Sequence, residues 1–289
     1  VLRGDGRSLS AALRVARASL DEIAGAQFLD DLDASDRAGD VTDAIVSAVA
    51  RKNQFVAYDP RFEAGVAREV TALLDALASG TPREDAIARA RVALAGVMRV
   101  ALGEHPREVA CATYSPELQL AILSLEIESM REPILDVGSG ADAALVRFLR
   151  DKKKDARGVD RECPMDLVEA GVATRADWLT YDYGAERYGT ITSHLGFTLH
   201  FVHQEMKRSD LAFDYARAYM RIVKALAPGG TFAYVPGVPF IEAMLPRAQI
   251  EVVTVPLANA LVTESVRRVQ EATGLILDAA THVRKVARP

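Results

Sequence analysis

The sequence predicts an α/β protein: an open, mostly parallel sheet with helices on both faces, preceded by an all-helical N-terminal part. Three observations predict it. Up to about residue 130 the apolar residues recur at helical spacing. After Glu132, seven short β-type runs appear. Between the first five of those runs lie segments of helical periodicity, and strand-helix alternation is the pattern of a parallel sheet. The expected division is 1–112 for the helical part and 113–289 for the sheet.

The helical elements come first. Leu9, Leu13, Ala16, Leu20 and Ile23 recur at steps of four and three, one face of a helix. Asp40 is read as the N-cap of a helix carrying Ile45, Val46 and Val49. Asp59-Pro60, Thr81-Pro82 and Ser115-Pro116 each place a cap residue before a proline at the first helical position. A proline is tolerated there because its missing N–H has no helical partner anyway. Thr81-Pro82-Arg83-Glu84 also fits a capping box, in which Thr and Glu satisfy each other's backbone donors. Gly80 and Gly103 stand where helices stop. Asp30, Asp31, Asp33 and Asp36 read as a solvated loop, since charge blocks are usually exposed.

The sheet elements follow. The runs are Ile134–Val137, Ala156–Asp160, Val172–Arg175, Thr190–His194 and Thr231–Val235, then Ile250–Val255 and His282–Ala287. Ala144, Leu145, Phe148 and Leu149 mark a helix after the first run. Lys152, Lys153 and Lys154 close that helix, where cations suit the dipole. Ligands of open α/β sheets sit beyond the carboxyl ends of the strands, so chemistry is expected there.

Charge excludes some functions. The chain of 289 residues carries 35 basic and 40 acidic side chains. Residues 1–130 hold 14 against 20, and residues 131–289 hold 21 against 20. Neither part has the basic excess that phosphate-backbone binding demands, so no nucleic-acid partner is expected. No apolar run reaches membrane-span length, so no membrane partner is expected either. The first residues have no apolar signal core. Two cysteines, Cys111 and Cys163, make no disulfide scaffold, and a cytoplasmic location is expected.

The first run leads directly into Asp136-Val137-Gly138-Ser139-Gly140-Ala141-Asp142. Glycines let the chain turn tightly and let a ligand approach the backbone. The helix that follows offers free N–H groups. Gly138, Gly140 and Ala143 satisfy the G-x-G-x-x-G/A dinucleotide fingerprint, so a nicotinamide oxidoreductase is one reading. Asp136 speaks against it, because a carboxylate there repels a pyrophosphate and suits an ammonium group. Late in the chain, Pro228-Gly229-Gly230 is read as ending a long helix before the strand Thr231-Phe232-Ala233-Tyr234-Val235.

Ile134-Leu135-Asp136-Val137-Gly138-Ser139-Gly140 resembles the first motif of class I S-adenosylmethionine-dependent methyltransferases. Val223-Lys224-Ala225-Leu226-Ala227-Pro228-Gly229-Gly230-Thr231-Phe232 resembles their late motif. The resemblance covers about residues 113–289 and implies a seven-stranded Rossmann-like sheet. It also implies S-adenosylmethionine as cofactor and S-adenosylhomocysteine as product. Asp136 then binds the ammonium, and Gly138, Ser139 and Gly140 lie against the amino-acid and ribose portions. Asp160, 24 residues after Asp136, takes the ribose hydroxyls. A carboxylate's two oxygens fit a vicinal diol. Asp177 accepts from the adenine amino group and Trp178, the single Trp of the chain, offers a stacking face. Arg161, Ser193 and Tyr114 complete the cofactor set. Two departures stand out: Asp142 replaces the third glycine and is read as a helix cap, and Tyr188-Gly189 stands where the family often has Phe-Asp.

Residues 194–205 hold His194, His200 and His203, three of the five histidines. In the resemblance this stretch is a loop facing cofactor and acceptor. His200, with His194 second, is the expected proton acceptor, since histidine titrates near neutrality. His200, His203 and Glu205 also spell a metal set, but no converging third ligand is evident and no metal is expected. His105 and His282 receive no role.

The expected activity is methyl transfer to a small-molecule acceptor, with a hydroxyl or amine favoured. The Ala- and Arg-rich composition is read as bacterial, where such enzymes tailor secondary metabolites. The helical part is expected to act as a lid, as an acceptor-specificity element or as the surface of a homodimer. Methylation of a protein or other macromolecule, and non-catalytic S-adenosylmethionine binding, are the other readings.

Overall fold

A computed structural model describes residues 37–52, 60–102, 114–257 and 277–287, with positions 29, 32, 266, 267, 269, 270 and 275. The expected stripe from Leu9 to Ile23, the acids Asp30, Asp31, Asp33 and Asp36, and Asp59, Gly103, His105 and Cys111 lie outside the described residues. The chain divides into two compact units, Val1–Ala110 and Cys111–Pro289.

In the first unit, α1 spans Ala38–Lys52, α2 Pro60–Ala78 and α3 Arg83–Leu102. Val41, Ile45 and Val49 of α1 pack with Phe62, Val66, Val70 and Leu73 of α2 and with Ile87, Ala90 and Leu94 of α3. These are i, i+3, i+4 positions, so each helix buries one stripe. Asp40 lies inside the first turn of α1 and is not its N-cap, because the helix begins at Ala38. A carboxylate in a first turn still faces the positive dipole end. Helix α3 begins at Arg83, one residue later than the capping box implies, and the Pro82 carbonyl accepts from the Ala86 amide at 3.0 Å. Helix α2 stops as expected. Gly80 has φ +78°, its amide donates to the Leu77 carbonyl, and the Thr81 amide donates to the Ala76 carbonyl. Those two bonds satisfy carbonyls the helix leaves open, and the left-handed position favours glycine.

The second unit opens with α4, Pro116–Ile122, whose N-cap Ser115 accepts from the Leu118 amide at 3.2 Å. Then follow β1 Ile134–Val137, α5 Ala144–Asp151, β2 Ala156–Asp160, α6 Met165–Glu169, β3 Ala173–Arg175 and β4 Tyr188–His194. Helices α7 Phe197–Met206 and α8 Leu211–Ala225 come next, then β5 Leu226–Val235, α9 Pro239–Glu242, β6 Ile250–Pro256 and β7 Ala279–Lys285. The strands form one sheet in the order β3-β2-β1-β4-β5-β7-β6. β1 to β5 are parallel, and β7 runs antiparallel between β5 and β6. All seven expected strands are present.

Several boundaries differ from the sequence reading. β4 starts at Tyr188, and β7 covers 279–285, starting three residues and ending two residues before its expected bounds. Pro228-Gly229-Gly230 does not end a helix. α8 stops at Ala225, and the three residues bulge out within β5. Leu226 pairs with Tyr188 and Thr231 with Thr190, so residues 227–230 stand opposite Gly189 alone. A Cβ on Gly230 would lie 2.9 Å from the Tyr188 carbonyl oxygen, which is why the bulge needs glycine there.

The sheet is covered on both faces. Leu135, Val137, Val159, Ile191, Phe232 and Tyr234 meet Phe197, Phe201, Tyr215, Tyr219 and Ile222 of α7 and α8. On the opposite face the registers align Asp136, Thr192, Ala233 and His282 in one row. His282 Nε2 lies 2.7 Å from the Leu123 carbonyl oxygen, just past α4.

Candidate functional site

The parallel strands bring their carboxyl ends to one edge, and the chain turns there after β1, β2 and β4. β1 leaves through Gly138, whose φ is +81° and whose amide donates to the Val159 carbonyl at 2.9 Å. The turn thus leans toward β2. Gly140, φ +73°, donates its amide to Asp160 Oδ2 at 2.9 Å. The other oxygen of Asp160 accepts from the Glu162 amide at 2.8 Å. Ser139 points down onto β2: a Cβ on Gly158 would lie 2.5 Å from Ser139 Oγ. Ser139 Oγ is buried without a hydrogen-bond partner. Asp142 does not cap α5. The N-cap is Ala143, left-handed at φ 44°, with no side-chain cap, because Asp142 stands one residue too early.

Asp136 ends up inside. It is 3% exposed, and Thr192 Oγ1 donates to its Oδ1 at 2.8 Å. Burial, with Asp160 adding repulsion against the Thr192 bond, pushes its carboxyl up to about 7. A carboxyl held so is receptive to a cation, whose arrival favours the ionised form.

At the third corner the Asp177 carboxylate accepts from the Leu179 amide at 2.9 Å, turning the chain after β3. Trp178 is only 4% exposed, so its ring is not an open stacking face. A Cβ on Gly138 would sit 3.2 Å from Trp178 Cζ3, so the ring backs the glycine turn. The Arg161 guanidinium lies 4.8 Å from the ring centroid. Phe197 meets it edge-on at 6.3 Å, His200 lies at 5.3 Å, and Trp178 Nε1 donates to Tyr215 Oη at 3.4 Å.

The stretch after β4 is a helix rather than a loop. α7 begins at Phe197, whose amide donates to Ser193 Oγ at 3.1 Å. Ser193 therefore engages the helix start. His200 is 6% exposed on α7, near-parallel to Tyr215 at 6.4 Å. His194, the last residue of β4, has its Nε2 buried without a hydrogen-bond partner, and the Tyr114 ring lies 5.6 Å away. Burial pushes its imidazole down to about 3. A histidine held neutral to that degree is a poor proton acceptor near neutrality, which argues against the catalytic role expected of it. Among the described residues no three His, Cys, Asp or Glu side chains group as a metal would need.

Asp136, Asp160 and His194 thus stand at the carboxyl ends of β1, β2 and β4, and Tyr114 lies against His194. The sequence reading missed Thr192, Thr198 and Gly158. Thr190, Thr192 and His194 fall at alternate positions of β4, a polar row legible in principle. Thr198 Oγ1, in the first turn of α7, is a further buried oxygen without a partner.

No family model matches the chain, and no curated protein matches it. Solved structures do. The [4+2]-cyclase SpnF is 12% identical, with a TM-score of 0.38 over 62% of this chain and 84% of that one. The N-methyltransferase NodS from Bradyrhizobium japonicum WM9 is 16% identical, with a TM-score of 0.38 over 60% and 96%. The glycopeptide N-methyltransferase MtfA is 14% identical, with a TM-score of 0.35 over 60% and 96%. What decides the architecture is the strand order, with one antiparallel strand inserted beside β5. The fold is an open, mostly parallel, seven-stranded Rossmann-like sheet. In that fold, the Gly138 turn, Asp160 and Asp177 follow the first three strands, and α7 follows the fourth. Among the described residues no helix is long and apolar enough to cross a membrane.

Proposed function

We propose that the sheet unit binds S-adenosylmethionine at this edge and transfers its methyl group to a small-molecule acceptor, a hydroxyl or an amine. One observation carries the reading: two carboxylates, Asp136 and Asp160, flank a glycine turn that donates to one of them. The pair suits a ligand bearing a cation and a diol and would repel a pyrophosphate. The unpartnered polar atoms of Ser139, His194 and Thr198 fit a ligand supplying their missing partners.

The bound sulfonium supplies an already activated methyl group. The chain's residues then orient rather than activate. Asp160 ties the glycine turn to β2 and keeps lone pairs for ribose hydroxyls. Asp136 takes the ammonium. Trp178 braces Gly138 from behind, and Arg161 and Asp177 form the adenine side. Holding donor and nucleophile in line converts a bimolecular step into a unimolecular one. Calorimetric titration with S-adenosylhomocysteine, then a label-transfer screen over hydroxyl and amine acceptors, tests the proposal. Binding without transfer to any acceptor would leave a binding module.

A further inference from the structure

Asp136 and His194 stand on one face of the sheet, on neighbouring strands. Asp136 is paired with Thr192, and His194 is the next residue of β4 on that face, one step nearer the carboxyl edge. The Tyr114 ring lies against the imidazole, and Nε2 is buried with no partner. A buried polar atom left unsatisfied weakens the empty protein, and a ligand donor that meets it recovers the loss.

We propose that His194 is a donor-binding residue: its Nε2, as a neutral acceptor, joins the Asp136 carboxylate in holding the α-ammonium of the amino-acid tail of S-adenosylmethionine. An ammonium has three N–H donors, so a carboxylate and an imidazole nitrogen would use two of them. Burial supports the assignment, since an imidazole held at about 3 stays uncharged beside a cation at any physiological pH. An ordinary histidine would protonate near 6.5 and repel it. The proposal rests on S-adenosylmethionine as ligand and deepens that reading: His194 binds the donor and does not take the acceptor's proton.

Two probes separate the tail from the rest: S-adenosylhomocysteine, which carries the ammonium, and 5′-methylthioadenosine, which lacks the amino-acid tail. In the full chain, His194→Phe keeps the ring and removes the acceptor, while His194→Gln restores an acceptor oxygen. Calorimetry should show that His194→Phe weakens S-adenosylhomocysteine about tenfold or more. Methylthioadenosine should be unaffected, and His194→Gln should recover part of the loss. Equal loss for both probes, or no loss, overturns the proposal. Should His194→Phe fail to fold, wild-type ¹⁵N spectra decide. The His194 Nε2 resonance should move with S-adenosylhomocysteine and stay put with methylthioadenosine; the same response to both overturns it. If the wild-type chain binds neither probe, the donor reading itself fails. That outcome is distinct from a wild type that binds and a His194 that does not matter.

Discussion

The Gly140 amide donates to Asp160 Oδ2 at 2.9 Å, so one carboxylate at the end of β2 holds the turn that ends β1. Its other oxygen accepts from the Glu162 amide at 2.8 Å. Each carboxylate oxygen has a second lone pair. Asp160 can therefore shape the turn and still receive a ligand diol.

Replacing Asp160 should show both roles. Asp160→Ala removes charge-assisted bonds of about 1.5–3 kcal/mol, so S-adenosylhomocysteine affinity should fall roughly 10- to 150-fold. Asp160→Asn keeps one acceptor oxygen and should lie between. Unchanged affinity in Asp160→Ala, measured by calorimetry, would refute the ribose assignment.

Asp136 and His194 should give the apo protein opposing pH dependences. The folded Asp136 carboxyl sits near 7 against an ordinary 3.8, so the native state holds an extra proton between those values. Stability from this group is highest below 3.8 and falls as pH rises to 7, by about 4 kcal/mol at most. The folded His194 sits near 3 against 6.5, so the unfolded state holds the extra proton there. Its contribution is intact above 6.5 and is lost as pH falls toward 3, by about 5 kcal/mol at most. Between pH 6.5 and 4 the two nearly cancel. Asp136→Asn should therefore lose stability on acidification faster than the wild type, and His194→Gln more slowly. Urea midpoints for the three proteins across that window check this. Parallel curves would show that the two side chains are not buried in these states.

The glycines should differ from one another. Gly138 combines φ +81° with a Cβ position 3.2 Å from the Trp178 ring, whereas Gly140, φ +73°, has open space around it. Gly140→Ala should cost only the left-handed backbone, about 1 kcal/mol. Gly138→Ala should cost more, about 1–3 kcal/mol, and displace Trp178. Denaturant unfolding measures both. Equal costs would mean that Trp178 does not brace the turn.

His200 packs on Trp178 and Tyr215. His200→Ala should therefore lower the melting temperature and S-adenosylhomocysteine affinity together, and leave the pH–rate profile unchanged in shape. Intact binding with a rate reduced 10²–10⁴-fold and a lost pH limb would instead make it the proton acceptor.

The sheet was legible because short β-type runs alternate with helical periodicity along the chain. β7 was read late because Ala279 and Ala280, which open it, are weak strand formers. The glycine turn and the acids Asp136 in β1, Asp160 at the end of β2 and Asp177 after β3 were legible because their order along the chain follows the order of adjacent strands. Burial was not. Nothing local shows that Trp178 turns its ring under Gly138, or that His194 is sealed in while Asp177 is not. Those facts come from α4, α7 and α8, which pack residues distant in sequence onto the same edge. Residues 194–205 read as a loop only through the family resemblance. In the structure α7 is buried on most sides, which is why its apolar residues form no stripe.

Calorimetric titration of the full chain with S-adenosylhomocysteine, repeated from pH 8 to pH 6, tests the central claim most directly. One molecule should bind per chain, and affinity should fall as the pH drops through about 7, where the empty-state Asp136 carboxyl takes its proton. A folded chain that binds no S-adenosylhomocysteine, or binds it with no loss on acidification, contradicts the account.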